Sequence, residues 1–357
     1  MARLHPIKEM RLPPSNLTVA AIGLGYFSQF HLLAWQAHSD VDLVGVTDLD
    51  AARVAEVVDE RGVAGFGSAE ALLQATDPDV IDLVVPPGAQ ADLLRLCLKS
   101  GRLVICQKPF GRTLEEAMAM TNMAKAAGTT LVIHENFRFQ PWHRIIKRFL
   151  EGGRMGQVYQ ARFALRPGDG RGARAYLDRQ PTFQQMQRFL VQETAVHFID
   201  LFRWLLGDIT SVYADLRQLN PVIAGEDAGL LVLHHEGGAR SVFDGNRLAD
   251  HVADNPRLTM GEMEIEGEGG RLALDGFGKV TFRAFGSTET ETVAITEPID
   301  PDSFGGGCVA ALIEHVVQAF RDNTVPENLA QNYLDVIRTA EAAYRSNAQG
   351  CRVSLKG

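Results

Sequence analysis

No stretch of this sequence is apolar for long enough to cross a bilayer, and no cysteine spacing suits a metal site or a disulfide framework. Positive charge is not in excess either. The first absence argues against a helical membrane protein. The opening segment, MARLHPIKEMRLPPSNL, also lacks the continuous apolar stretch of a secretory leader. The four cysteines (Cys97, Cys106, Cys308 and Cys351) contain no Cys-x-x-Cys pair. They read as reduced thiols in a cytoplasmic protein, with Cys97 and Cys106 buried. A net charge of -9 argues against nucleic acid or an anionic membrane as partner, because both attract basic surfaces. What remains is ordinary globular composition, 46% apolar and 22% charged, in 357 residues. That length exceeds what one core usually supports, so two domains are expected, over residues 1–136 and 137–357.

Residues 17–134 alternate strand-like and helix-like segments, the pattern of a parallel sheet with helical crossovers. LTVAAIG, VDLVGVTD, VIDLVVPP, RLVICQ and TLVIHE are its apolar runs, and a helix is expected from about Ser28 to His38. Thr113 and Glu116 form a capping-box signature before another helix. Beyond Asn136 a connecting helix, RFQPWHRIIKRFLEGG, is followed by longer alternating segments joined at EGG and GEGG, as in antiparallel hairpins. Val309, Leu312, Ile313, Val316, Val317 and Phe320 share one face of a closing helix. The fold class is α/β: a doubly wound Rossmann sheet, then an α+β domain on a large, mostly antiparallel, open-faced sheet.

AIGLGYFSQFH follows the first strand and opens the first helix. Gly23 and Gly25 fit the first two glycines of the dinucleotide fingerprint, one for the tight turn and one for close approach to pyrophosphate. Ser28 takes the third position, where it is small enough for helix–strand packing and able to cap the helix. The helix start offers free N–H groups to phosphate. Asp48 ends the second strand 23 residues beyond Gly25, where a carboxylate accepts both ribose hydroxyls. It would repel the 2′-phosphate of NADP, and no arginine follows it directly, so NAD is favoured over NADP.

In VICQKPFGR, Lys108 stands at a strand end before Pro109, which disfavours helical backbone at the lysine and keeps it extended. Ligands of open parallel sheets bind beyond such ends, and an ammonium there favours a forming alkoxide. A surface lysine before a helix-breaking proline is the plain alternative. In QETAVHFIDLFRWLLG, Glu193, His197 and Asp200 lie along one helical face, suited to orienting and tuning a histidine as general base. The plain alternative is a helix-stabilising set of ion pairs. His234 and His235 are adjacent on a strand and point to opposite faces, so they do not chelate one ion, and no metal is expected. Arg162, Arg166, Arg171, Arg174 and Arg179 crowd one Gly-rich stretch. They suit either a carboxylate or phosphate on the substrate, or a solvated loop or subunit contact.

GLGYFSQFH, SGRLVICQKPFGRTLEEA, HENFRFQPW and ETAVHFIDLFRWLLG together resemble the Gfo/Idh/MocA family of sugar and polyol oxidoreductases, over nearly the whole chain. The resemblance implies that Lys108 hydrogen-bonds the reacting hydroxyl and that a carboxylate four residues before a histidine works with it, here Glu193 and His197. Gln107 replaces the family's glutamate before the lysine, and Gln90 stands where many members have histidine. Tyr26, Phe27, Pro86, Pro87, Gln90, Gln107 and Asn136 would line the cofactor, and Arg138 and Asp200 the substrate. For Arg138 an interdomain ion pair is the plain reading. The resemblance also implies homodimers or homotetramers through the open sheet. Two other activities share this scaffold: an NAD-dependent glycosidase without net redox change, and a non-catalytic NAD sensor, which would need no proton acceptor.

Overall fold

A computed structural model of the protein describes residues 16–99 and 101–355; most of the segment read above for a leader, residues 1–15, lies outside them. No described helix is long and apolar enough to cross a membrane. The chain divides into two compact units. One holds the chain up to Glu135 together with Val309–Leu334; the other holds Asn136–Cys308 and the chain from Asp335 onward. A single cut at 136/137 therefore misses the return of Val309–Leu334. The physical reason lies at an edge strand: Ile133 donates its N–H to the Asn328 carbonyl at 2.8 Å, and Leu329 bridges Val132.

In the first unit, strands β1 (Leu17–Ile22), β2 (Val41–Thr47), β3 (Gly65–Phe66), β4 (Val80–Leu83), β5 (Leu103–Gln107) and β6 (Thr130–His134) form one sheet in the order 3-2-1-4-5-6. Every pairing in it is parallel. Helices α1 (Ser28–Ala37), α2 (Ala51–Arg61), α3 (Ala69–Thr76), α4 (Pro87–Cys97) and α5 (Leu114–Ala127) make the crossovers. The strands read as continuous apolar runs because helices cover both faces: β4 and β5 are buried at every position. Winding reverses between β1 and β4, and that switch point opens the crevice where such sheets bind ligands.

The second unit opens with α6 (Pro141–Glu151) and is built on nine strands. They are β7 (Val158–Leu165), β8 (Ile209–Arg217), β9 (Ala228–His235), β10 (Arg240–Asn246), β11 (Gly261–Gly267), β12 (Gly270–Leu274), β13 (Val280–Ala284), β14 (Glu291–Val293) and β15 (Val353–Ser354). All pairings are antiparallel except β7 with β10. Helix α7 (Val196–Leu206) buries Phe198 against Phe163 and Phe243 of the sheet, at ring distances of 4.0 and 5.2 Å. Helices α8 (Cys308–Arg321) and α9 (Ala330–Gln349) close the chain. On the sheet's other face Val232 pairs with Val242 and Tyr213, and Tyr213 and Leu230 are exposed.

Candidate active site

Four turns at the carboxyl ends of the parallel strands carry the residues expected to meet a cofactor. After β1, Gly23 has φ +97°, and a Cβ there would lie 2.3 Å from the Val84 carbonyl, so only glycine fits. A Cβ on Gly25 would meet nothing within 4 Å: the exposed backbone faces open space at the start of α1. This bare cradle fits a dinucleotide's phosphates. Tyr26 and Phe27 flank it, half-buried. Ser28 does not cap α1, because its hydroxyl donates back to the Gly25 carbonyl at 2.7 Å and tightens the loop. Asp48 accepts the Leu24 N–H at 2.6 Å through one oxygen and the Asp50 N–H at 2.9 Å through the other. Each oxygen keeps a lone pair, so ribose hydroxyls still have acceptors. Pro86 and Pro87 start α4 just beyond the end of β4.

The turn after β5 is the most tightly held. The Gln107 side-chain oxygen accepts the Lys108 N–H at 2.7 Å, and the Lys108–Pro109 peptide is cis. Gln90, fully buried on α4, donates to the carbonyls of Gln107 at 2.7 Å and Pro109 at 3.0 Å. Its oxygen accepts the Gly111 N–H at 2.8 Å. Both amides of Gln90 and Gln107 thus have donor and acceptor engaged within the protein. An amide can bracket a turn this way because it carries both functions, which a carboxylate lacks. Below the turn, Gln107 meets His31, and His31 meets Asp82, which also accepts the Trp35 indole N–H at 2.6 Å. Lys108 itself is half-buried. Thr113 caps α5 by accepting the Glu116 N–H at 3.2 Å, but Glu116 turns to the N–H and guanidinium of Arg112, so the capping box is half formed.

In the second unit the expected uniform helix from Glu193 to Asp200 is corrected: Leu190–Ala195 is π-helical and passes into α7. Such turns reset the phase of side chains around a helix and recur at functional sites. Both ends of this one are fastened. Glu226 accepts the N–H of Leu190 through its carbonyl at 2.9 Å and that of Val191 through its carboxylate at 3.1 Å. The Tyr344 hydroxyl donates to the same carboxylate at 2.6 Å. Arg247, buried, donates to the Thr194 hydroxyl at 2.7 Å and to both oxygens of Asp169 at 3.1 Å. Burial works against ionising Asp169, yet Arg247, the Tyr176 hydroxyl and Arg179 outweigh it and hold the carboxyl below the usual range.

Glu193 is half-buried; His197 is buried and stacks flat on Phe137, ring centroids 4.0 Å apart. Both oxygens of Asp200 accept from Arg138, at 2.9 and 2.6 Å. This bidentate pair lies within one unit and is not interdomain. Asn136, buried, opens the same unit. The five arginines of the Gly-rich stretch all have protein partners: Arg162 and Arg166 on Asp244, Arg171 on the Leu248 carbonyl, Arg174 on Asp178, Arg179 on Asp169. His235 is buried between the Gly207 carbonyl and Ser241, while His234 is on the other face of its strand.

Several residues escaped the sequence reading. Asp82 had a signal, a lone carboxylate inside VIDLVV, where a buried charge demands partners. Arg53 had one too: it follows Asp48 on α2, and its Nε donates to the Leu24 carbonyl at 3.0 Å. Glu226 and Arg247 had none in their own neighbourhoods.

Fold and turn chemistry together define a Rossmann-type oxidoreductase scaffold. Residues 17–135 match the model of the oxidoreductase family with an NAD-binding Rossmann fold, and residues 143–273 match the GFO/IDH/MocA C-terminal domain. The chain is similar to the D-apiose dehydrogenase of Paraburkholderia graminis, 30% identical over 342 residues, covering 94% of this chain and 89% of that one. It is also similar to D-xylose 1-dehydrogenase (NADP(+)) 2 of Haloferax volcanii, 26% identical over 89% of this chain and 93% of the relative. Among solved structures, an Agrobacterium radiobacter oxidoreductase in complex with NAD+, L-tartaric acid and magnesium superposes with a TM-score of 0.86. That structure is 26% identical and covers 95% of this chain and 98% of its own. The chain belongs to the Gfo/Idh/MocA oxidoreductase family, and its first unit carries an NAD-binding Rossmann domain.

Proposed function

We propose that this protein is an NAD-dependent dehydrogenase acting on a CH–OH group of a neutral sugar or polyol, with the first unit holding the dinucleotide and the second the substrate. The observation that carries the reading is the Lys108 turn: a lysine at the carboxyl edge of a parallel sheet, its backbone fixed by Gln107 and Gln90. Bound NAD supplies the hydride acceptor. Gly23, Gly25 and the start of α1 hold its phosphates, Asp48 its ribose, with Tyr26, Phe27, Pro86, Pro87 and Asn136 around it. Asp48 favours NAD over NADP, because a carboxylate repels a 2′-phosphate.

Lys108 hydrogen-bonds the substrate oxygen and stabilises the charge that develops there. His197 takes the hydroxyl proton, its ring fixed in plane by Phe137. Glu193 orients His197 or holds a neighbouring hydroxyl. The Arg138–Asp200 pair borders the substrate as a neutral unit. A neutral substrate is supported by the arginines of this stretch: Arg162, Arg166, Arg174 and Arg179 pair with carboxylates of the protein, and Arg171 donates to the Leu248 carbonyl. We further propose a cytoplasmic homodimer or homotetramer that covers Tyr213, Leu230, Val232 and Val242 on the open sheet.

The test is a panel of neutral sugars, inositols, polyols and uronates with NAD or NADP, followed by NADH absorbance. NADH must accumulate with a neutral substrate; turnover without it would identify a glycosidase, and preference for uronates would reverse the assignment of the arginines. Lys108→Ala should lower kcat by about 10²- to 10³-fold, the effect of removing one donor to a developing oxyanion. NAD affinity should stay within about twofold, below ~0.5 kcal/mol. Equal loss of both would make the lysine structural.

A further inference from the structure

The turn at Lys108 rests on a chain of hydrogen bonds whose direction is fixed at its upper end. A backbone N–H can only donate, so the Gln107 atom 2.7 Å from the Lys108 nitrogen is the amide oxygen. That sets the other end of the amide: its NH₂ group faces His31 Nε2 at 3.3 Å, and the nitrogen facing it must accept. A proton on Nε2 would set donor against donor. The remaining proton of the imidazole therefore sits on Nδ1, directed at Asp82 Oδ2, 2.8 Å away. Asp82, His31 and Gln90 have no exposed surface, and Gln107 has 9%. The other Asp82 oxygen has no hydrogen-bond partner among the described residues.

We propose that Gln107 holds His31 as the neutral Nδ1–H tautomer, and that the resulting one-way chain from Lys108 through Gln107 and His31 to Asp82 makes both residues positioning residues for the lysine. The other groups around His31 agree. The His134 ring packs against it, tilted by 32° with the centroids 4.0 Å apart. Phe27 meets it edge-on, and Trp35 supplies Asp82 with a neutral donor. The Cys106 thiol, beside Asp82, is held well above its usual range by burial and then by Cys97 and Asp82, so it stays neutral. Every link of the chain then has one donor and one acceptor. A glutamate at 107 would reverse it: to accept from both Lys108 and His31, it requires a proton on Nε2 and turns His31 into an imidazolium between two carboxylates. The identity of residue 107 therefore decides how many protons His31 carries.

The kinetic side of this proposal rests on Lys108 acting at the reacting oxygen, but the tautomer does not. The test is a two-bond proton–nitrogen correlation spectrum of the full chain labelled with ¹⁵N-histidine, with His31 assigned by its loss in His31→Asn. The native chain should show His31 with Nδ1 protonated and Nε2 bare, and Gln107→Glu should show both nitrogens protonated. A proton on Nε2 in the native chain, or an unchanged His31 in Q107E, overturns the proposal. The native spectrum decides alone if Q107E does not fold. In a folded Gln107→Leu, which leaves the Lys108 N–H without its acceptor, kcat should fall by about 10- to 100-fold through displacement of Lys108, with KM for the alcohol less affected. An active Lys108→Ala with the native His31 spectrum would instead defeat the catalytic reading and leave the chain intact.

Discussion

The two units hold their expected active residues in different ways. In the first, Lys108 sits on a turn fastened by neutral amides, Gln90 and Gln107, backed by a histidine, an indole and a single carboxylate. In the second, the turn bearing Glu193 is fastened by charge: Glu226 at one end, Arg247 with Asp169 at the other, and Arg138 locked to Asp200 on the following helix. Beside the Lys108 ammonium, neutral amides fix geometry without adding a competing charge. Glu193 sits instead near Arg247, whose guanidinium feels that carboxylate directly. The amide bracket draws on side chains at hand in its own sheet and crossover helix. The ionic one reaches across the unit and depends on complete pairing, because an unpartnered buried ion is expensive.

Deleting the buried cation should therefore give the largest effect. Arg247→Met leaves Asp169 without its main counter-charge and should cost about 3–5 kcal/mol, read as a lower urea midpoint of unfolding. Adding Asp169→Asn should restore a substantial part, since the two groups share one interaction. A loss below about 1 kcal/mol for Arg247→Met would dissolve the contrast between the units.

A buried histidine sharpens it next. His31 has a carboxylate on one side, whereas His143 has only the Phe137 carbonyl, 2.8 Å from Nδ1, and no partner for Nε2 among the described residues. Burial pushes its pKa from 6.5 to about 4, against the raising effect of that carbonyl. The folded value lies below the unfolded one, so the unfolded chain binds the proton first as pH falls. Stability is then complete above pH 6.5 and declines until about pH 4, by a total of about 3 kcal/mol. His143→Gln should flatten that part of the stability profile. An unchanged acid slope would assign it to other groups.

The same contrast explains what the sequence revealed. Gly23, Gly25, Asp48, Gln107 and Lys108 each lie at or just beyond the end of an apolar run, so local patterning marks both the strand and the candidate residue at its end. The return of Val309–Leu334 depends on pairing with β6, for which the chain carries no local mark. The π-helical turn was equally hidden, because its two clamps are 35 and 53 residues from the groups they hold. Ser28 and Glu116 satisfied sequence rules for caps and then took other partners nearby. Residue type limited the choices there, and the local backbone made the selection.

The smallest expected effect comes from an arginine in the first unit that resembles Arg247 only in type. Arg53 donates to the Leu24 carbonyl and pairs with Glu56 three residues on, with its side chain 36% exposed. Water screens the ion pair, and Asp48 still holds the Leu24 N–H when Arg53 is gone. Arg53→Ala should therefore lower stability by no more than about 1 kcal/mol, the net worth of one ordinary hydrogen bond. Because Leu24 lies between the two glycines of the dinucleotide loop, the same loss should surface in NAD affinity, as a rise in Kd of about fivefold or less. Calorimetric titration with NAD alongside urea unfolding separates the two readouts. A stability loss as large as that of Arg247→Met would mean that the first unit, too, depends on an ion to keep its site in place.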